Sequence, residues 1–125
     1  MANVLLAGQD FQFLDMLQAE IEGQGHTVLW ASTGLEAYEI ALAQSPDMVF
    51  LEAAIPVFSG FEACEMIRQD PEIPKELPIL IVSGGDIDTR RVELVGADGI
   101  FHKIHTDDEV REVLAAYLAE KAGRA

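Results

Sequence analysis

Apolar positions along the chain alternate between short unbroken runs and stripes at helical spacing. Val4–Ala7 (VLLA) predicts a strand ending at Gly8. Phe13, Leu14, Leu17 and Ile21 predict a helix that Asp10 caps and that stops near Gly23 and Gly25. Thr27–Ala31 (TVLWA) predicts a second strand. Thr33-Gly34-Leu35-Glu36 has the form of a capping box and opens a helix running to about Gln44. Met48–Leu51 (MVFL) predicts a third strand, set off by Ser45-Pro46. A second box, Ser59-Gly60-Phe61-Glu62, starts a helix with Phe61, Cys64 and Ile67 on one face. Prolines make Asp70–Pro78 a loop, and Ile79–Val82 (ILIV) follows as a fourth strand. A short helix is expected at about Asp88–Val95, with Val92 and Val95 inward. Ile100–Ile104 predicts a fifth strand. A third box, Thr106-Asp107-Asp108-Glu109, opens a last helix whose stripe is Val110, Val113, Leu114, Tyr117 and Leu118.

Five strands alternating with five helices, joined by short loops, predict an α/β doubly wound parallel sheet with right-handed crossovers. Strands that are apolar throughout fit a sheet covered on both faces. Such sheets place their sites at the carboxyl ends of strands. The stretches to inspect are therefore Gly8–Asp10, Glu52–Ala54, Ser83–Gly85 and Lys103–His105. One domain over residues 1–122 is expected, with a frayed tail at 123–125.

Composition narrows the function classes. The 125 residues carry 22 Asp plus Glu against 8 Lys plus Arg, a net charge of −14. Residues 1–67 contain ten acids and no Lys or Arg. Such a surface repels phosphate backbones, so no nucleic-acid contact is expected from this domain. No apolar run approaches a membrane span, no basic cluster suits an anionic membrane, and MANVLLAGQD lacks signal-peptide form. A single cysteine, Cys64, excludes an internal disulfide. A cytoplasmic location is expected.

The strand-end residues resemble the receiver domain of response regulators in two-component signalling. VLLAGQD, PDMVFLEAAIPVFSGFE, LPILIVSG and GADGIFHKI occur in that family's order, and the resemblance spans about the whole chain. It implies a flavodoxin-like (βα)5 fold with strand order 2-1-3-4-5. It also implies a site in which an acidic pair and an aspartate hold Mg²⁺, the aspartate accepts phosphoryl from a histidine kinase, and a hydroxyl and a lysine bind the phosphoryl oxygens.

The match is partial. Ser83 stands at the hydroxyl position and Lys103 at the lysine position. Gly8 and Gln9, however, occupy the acidic-pair positions, and Glu52 occupies the phosphoacceptor position. Ile100 stands where the switch aromatic is usual, Ile104 where a proline follows the lysine, and Ser59 where an acid precedes Gly60. Mg²⁺ needs carboxylate anchoring that Gly8 and Gln9 do not supply. In-line transfer is sensitive to the extra ~1.5 Å of the glutamate arm. The expectation is a degenerate site with no cofactor; Asp10 is the one nearby carboxylate that could rescue metal binding. Glu52 is expected to contact Lys103, either imitating a phosphorylated aspartate or simply pairing with the lysine. The Lys103–Ile104 bond is expected to be trans, since cis before a non-proline costs about 2.5–4 kcal/mol.

Other candidates have plainer readings. His102 and His105, three apart on the expected strand, point to opposite faces and are read as solvated histidines. His26 has no evident partner, Cys64 reads as an inert core residue, and Trp30 as partly exposed. Gly84-Gly85 lacks the rest of a phosphate-loop signature. The leading expectation is therefore a non-enzymatic pseudo-receiver. It would contact a protein partner (a kinase, an output domain or a second copy) through about Asp86–Lys121, which carries Arg90, Arg91, Lys103, Arg111 and Lys121. Two alternatives stay open: a phosphorylatable receiver with an atypical Mg²⁺ site, and a small-ligand domain that uses the pocket vacated at Gly8.

Overall fold

The computed structural model describes residues 1–124, with side chains described through Leu118. The expected tail, 123–125, lies outside the described side chains, and Ala125 lies outside the described residues altogether. The elements run β1 (Asn3–Ala7), α1 (Phe11–Gly23), β2 (Thr27–Ala31), α2 (Gly34–Gln44), β3 (Met48–Glu52), α3 (Gly60–Gln69), β4 (Ile79–Ser83), α4 (Thr89–Leu94), β5 (Gly99–His102) and α5 (Asp107–Arg124). All pairings are parallel, in the order β2-β1-β3-β4-β5. This is the flavodoxin-like (βα)5 architecture.

The sheet divides two apolar cores. Leu6, Phe13, Leu17, Phe50, Val110 and Leu114 join α1 and α5 to one face. Leu5, Ala37, Val49, Cys64, Ile67 and Val92 join α2, α3 and α4 to the other. Val4 through Ala7 and Met48 through Leu51 are all 0% exposed, as central strands covered on both faces must be. Each such Leu, Val or Ile contributes about 1.5–3 kcal/mol on burial. This rigid layer sets β1 between β2 and β3, so Gly8 and Glu52 emerge side by side at its carboxyl edge.

Local signals behave as their chemistry requires. Asp10 accepts from the Phe13 amide and caps α1. Ser59 and Glu62 form a reciprocal box at α3, and Thr106 and Glu109 form another at α5. The box at α2 is only half made: Thr33 accepts from the Glu36 amide, but the Glu36 carboxylate takes the Ser32 amide instead of the Thr33 amide. Two further carbonyls complete that helix start. Gly34 N–H donates to Pro56 O and Leu35 N–H to Val57 O. A Cβ on Gly34 would lie 1.9 Å from Phe58 O, so only glycine admits the loop this closely.

Two expectations need correction. The fifth strand ends at His102, not Ile104. Lys103 still donates its amide to Ser83 O, but Ile104 turns out to 90% exposure and the ladder stops. His26 does have a partner: the Ala2 amide donates to its Nδ1 at 3.2 Å. The Lys103–Ile104 bond is trans, as is every peptide bond among the described residues.

Candidate functional site

Three strand ends build the site. β1 delivers Gly8, Gln9 and Asp10; β3 ends on Glu52; the turn after β5 carries Lys103. Glu52 is the one buried charged residue among the described residues. Its side chain folds back over Gly8. A Cβ on Gly8 would lie 2.3 Å from Glu52 Cδ and Oε1 and 2.6 Å from its Cγ. Glu52 Oε1 accepts from the amides of Gln9 at 2.9 Å and Asp10 at 3.3 Å. These amides open the amino end of α1, where the helix dipole favours negative charge.

Lys103 closes the cluster. Its Nζ lies 2.8 Å from Asp10 Oδ2 and 3.1 Å from Glu52 Oε2, with about a quarter of its side chain exposed. The ammonium therefore stands between two carboxylates. Its hydrogen bond, then that of the Phe13 amide, and least of all its charge, hold the Asp10 carboxyl below the ordinary value of 3.8. Burial alone would push the Lys103 pKa down. The hydrogen bonds and negative charge of Asp10 and Glu52 together outweigh burial and raise it above 10.5.

The expected Glu52–Lys103 contact is present, and Asp10 joins it. Ser83 is not drawn in: its hydroxyl donates to Gly85 O at 2.8 Å and accepts from the Gly85 amide at 3.2 Å. Glu52 thus leans toward β1, with its carboxylate on Lys103 and not on the Ser83 hydroxyl. The space expected to be vacant at Gly8 is filled by Glu52. The Gln9 side chain is committed elsewhere, its amide donating to Ser32 O at 3.1 Å. Ile100 is half-buried against the α2–α3–α4 core.

His105 corrects its reading as a solvated side chain. Its side chain is 5% exposed, its ring lies 4.7 Å from Phe101 and edge-on to Phe13 at 5.9 Å. Nδ1 faces the carbonyls of His102 and Lys103, and Nε2 faces Glu20 Oε1 at 3.3 Å. The residue is legible only once the strand is known to end before it. Cys64 is buried as expected, and burial pushes its thiol up to about 11. Trp30 is half-buried on edge strand β2.

Residues 4–115 match the family model of the response regulator receiver domain. The chain belongs to that family. It is 30% identical over 121 residues to Protein PilH of Pseudomonas aeruginosa, covering 95% of this chain and 99% of that one. It is also 30% identical over 119 residues to the alkaline phosphatase synthesis transcriptional regulatory protein PhoP of Bacillus subtilis, covering 93% of this chain and 48% of that protein. The chain therefore spans about half the length of PhoP and nearly all of PilH. Among solved structures, the chemotaxis protein CheY4 of Vibrio cholerae superposes with a TM-score of 0.85 at 25% identity, over 94% of this chain and 99% of that one. The receiver domain of the sensor histidine kinase PA1611 of Pseudomonas aeruginosa, with magnesium coordinated in its active-site cleft, shares the fold. It has a TM-score of 0.85 at 19% identity, over 94% of this chain and 98% of that one. Receivers are signalling modules of two-component systems.

At the corresponding strand ends this receiver offers the carboxylates of Asp10 and Glu52. No group of three or more His, Cys, Asp or Glu that could hold an ion occurs among the described residues. Both nearby carboxylates are already turned to Lys103, and Gly8 offers no side chain. Among the described residues, no helix is long and apolar enough to cross a membrane.

Proposed function

We propose that this receiver signals by protein–protein contact without accepting a phosphoryl group and without catalysing a reaction. The observation that supports it most directly is the Lys103 ammonium held between Asp10 and Glu52. A cation bound covalently to the fold takes up the negative charge that a divalent ion would need. Phosphoryl transfer to Glu52 would also require its buried carboxylate to leave two backbone amides and reach outward.

The partner is a kinase, an output domain or a second copy, engaged through about Asp86–Lys121 in the cytoplasm. On that stretch Arg90 and Arg111 are exposed, and Leu94 is 76% exposed. Arg91 rests over the Phe61 ring at 4.2 Å, Arg111 pairs with Asp108, and Lys103 faces the site instead of the surface. The Lys121 side chain lies outside the described residues.

Amide NMR of the chain, titrated with Mg²⁺ and then beryllofluoride, tests the reading. The expected spectrum is still at millimolar Mg²⁺. Shifts clustered at Gly8–Asp10, Glu52–Ala54, Ser83 and Lys103 would overturn it in favour of a phosphorylatable receiver.

A further inference from the structure

The polarity of the site is the reverse of a metal site, and this has a consequence for what it binds. Two backbone amides, Gln9 and Asp10, converge on one oxygen of a carboxylate, and an ammonium stands 3.1 Å from the other. The carboxylate is Glu52's own, on a side chain 9% exposed, and its Oε2 is buried against the Lys103 ammonium. A residue as long as glutamate fits because Gly8 leaves the room. Removing the side chain beyond Cβ would leave a polar hollow lined by Gly8, Gln9, Asp10 and Lys103.

We infer that the joined ends of β1, β3 and the β5–α5 turn form a binding site for a small monocarboxylate, and that Glu52 fills this site in cis as a tethered ligand. This rests on the metal-free reading of the same residues. The ligand class follows from charge. Asp10 already sits on Lys103, so the emptied hollow carries no net charge and offers two amides beside the ammonium. A singly charged carboxylate restores the one negative charge that Glu52 places there, whereas a phosphate dianion exceeds it by one. Tethering holds the local carboxylate concentration far above that of free acetate, so the wild-type chain binds none.

The test is chemical rescue in Glu52→Ala. The variant is titrated with sodium acetate or propionate against sodium chloride at equal ionic strength, followed by melting and amide NMR. Millimolar carboxylate is expected to raise its melting temperature by about 3–5 °C over chloride and to shift the Gln9 and Asp10 amides. Inorganic phosphate is expected to act at least tenfold more weakly, and wild type to show no response. Gly8→Ala added to Glu52→Ala refills the hollow and is expected to abolish the rescue. No response beyond chloride, or an equal response with Gly8→Ala present, overturns the site; phosphate acting as well as acetate overturns the ligand class. If Glu52→Ala does not fold unaided, refolding in propionate against chloride decides the same question, native spectrum against none. Magnesium shifts in the wild-type chain would sink the metal-free reading separately.

Discussion

Lys103 is the residue on which the site's charges balance. Replacing it with methionine keeps the stem but leaves Glu52 buried and unpaired. Removing one partner of a fully buried pair costs 3–5 kcal/mol; Lys103 keeps about a quarter of its exposure, so Lys103→Met is expected to cost about 2–3 kcal/mol in urea unfolding. A loss under 1 kcal/mol would mean that the cluster is solvated and contributes little. Cys64 gives a second test at this scale. Its thiol, pushed up to about 11 by burial, should resist iodoacetamide at pH 8 until the chain unfolds. Much of this was legible in the sequence: strand-end positions drew attention to Glu52, Ser83 and Lys103, and the resemblance to receivers set Glu52 against Lys103, where the contact is found. What the sequence hid was direction. A glycine just after β1 and a long acid at the end of β3 are a size-matched pair, yet only the register of the two strands shows that Glu52 turns over Gly8 and away from Ser83.

Among the elements, the loop between β3 and α3 is held in an unfavourable backbone. Val57 (φ 49°) and Phe58 (φ 69°) both occupy the left-handed region, where a β-branched residue is a true outlier. Val57 is 57% exposed and gains little from the core in return. Val57→Gly relieves the strain while adding some unfolded-chain entropy, and is expected to raise stability by about 0.5–1 kcal/mol in chemical denaturation. Destabilisation by the same amount would show that the valine side chain packs more tightly than its exposure suggests. The connection after β5 is the other element with a specific brace. His105 ties it to α1 through Glu20 and Phe13, and its ring packs on Phe101 of β5. His105→Ala should cost about 1–3 kcal/mol and disturb the Lys103 amide in NMR, since the ring also holds the Lys103 carbonyl. Helices and strands were readable because capping boxes and apolar stripes are local. The end of β5 was not. Phe-His-Lys-Ile continues the apolar rhythm, and only the exposure of Ile104 and the inward turn of His105 break it.

Across the whole molecule, a net charge of −14 means that each ion pair acts against general repulsion. Lys103 is therefore best judged as the stability difference between wild type and Lys103→Met, followed through pH. Asp10 is held below its ordinary 3.8 by Lys103, so its share is fully present above that value and is lost as pH falls through the lowered pKa. Lys103 is held above its ordinary 10.5, with the carboxylate contacts outweighing burial. Its share is fully present below that value and is lost as pH rises through the raised pKa. The difference should therefore be flat from about pH 5 to about pH 9 and shrink at both extremes. Salt should act on the two parts in opposite senses. Raising NaCl from about 10 to about 300 mM screens the repulsion and should raise the melting temperature of both proteins, while the half-buried cluster is screened much less. A wild-type advantage that vanished in high salt would place Lys103 among ordinary surface charges. An advantage that persisted would show that the ammonium is part of the fold's interior and acts as a fixed internal counter-charge.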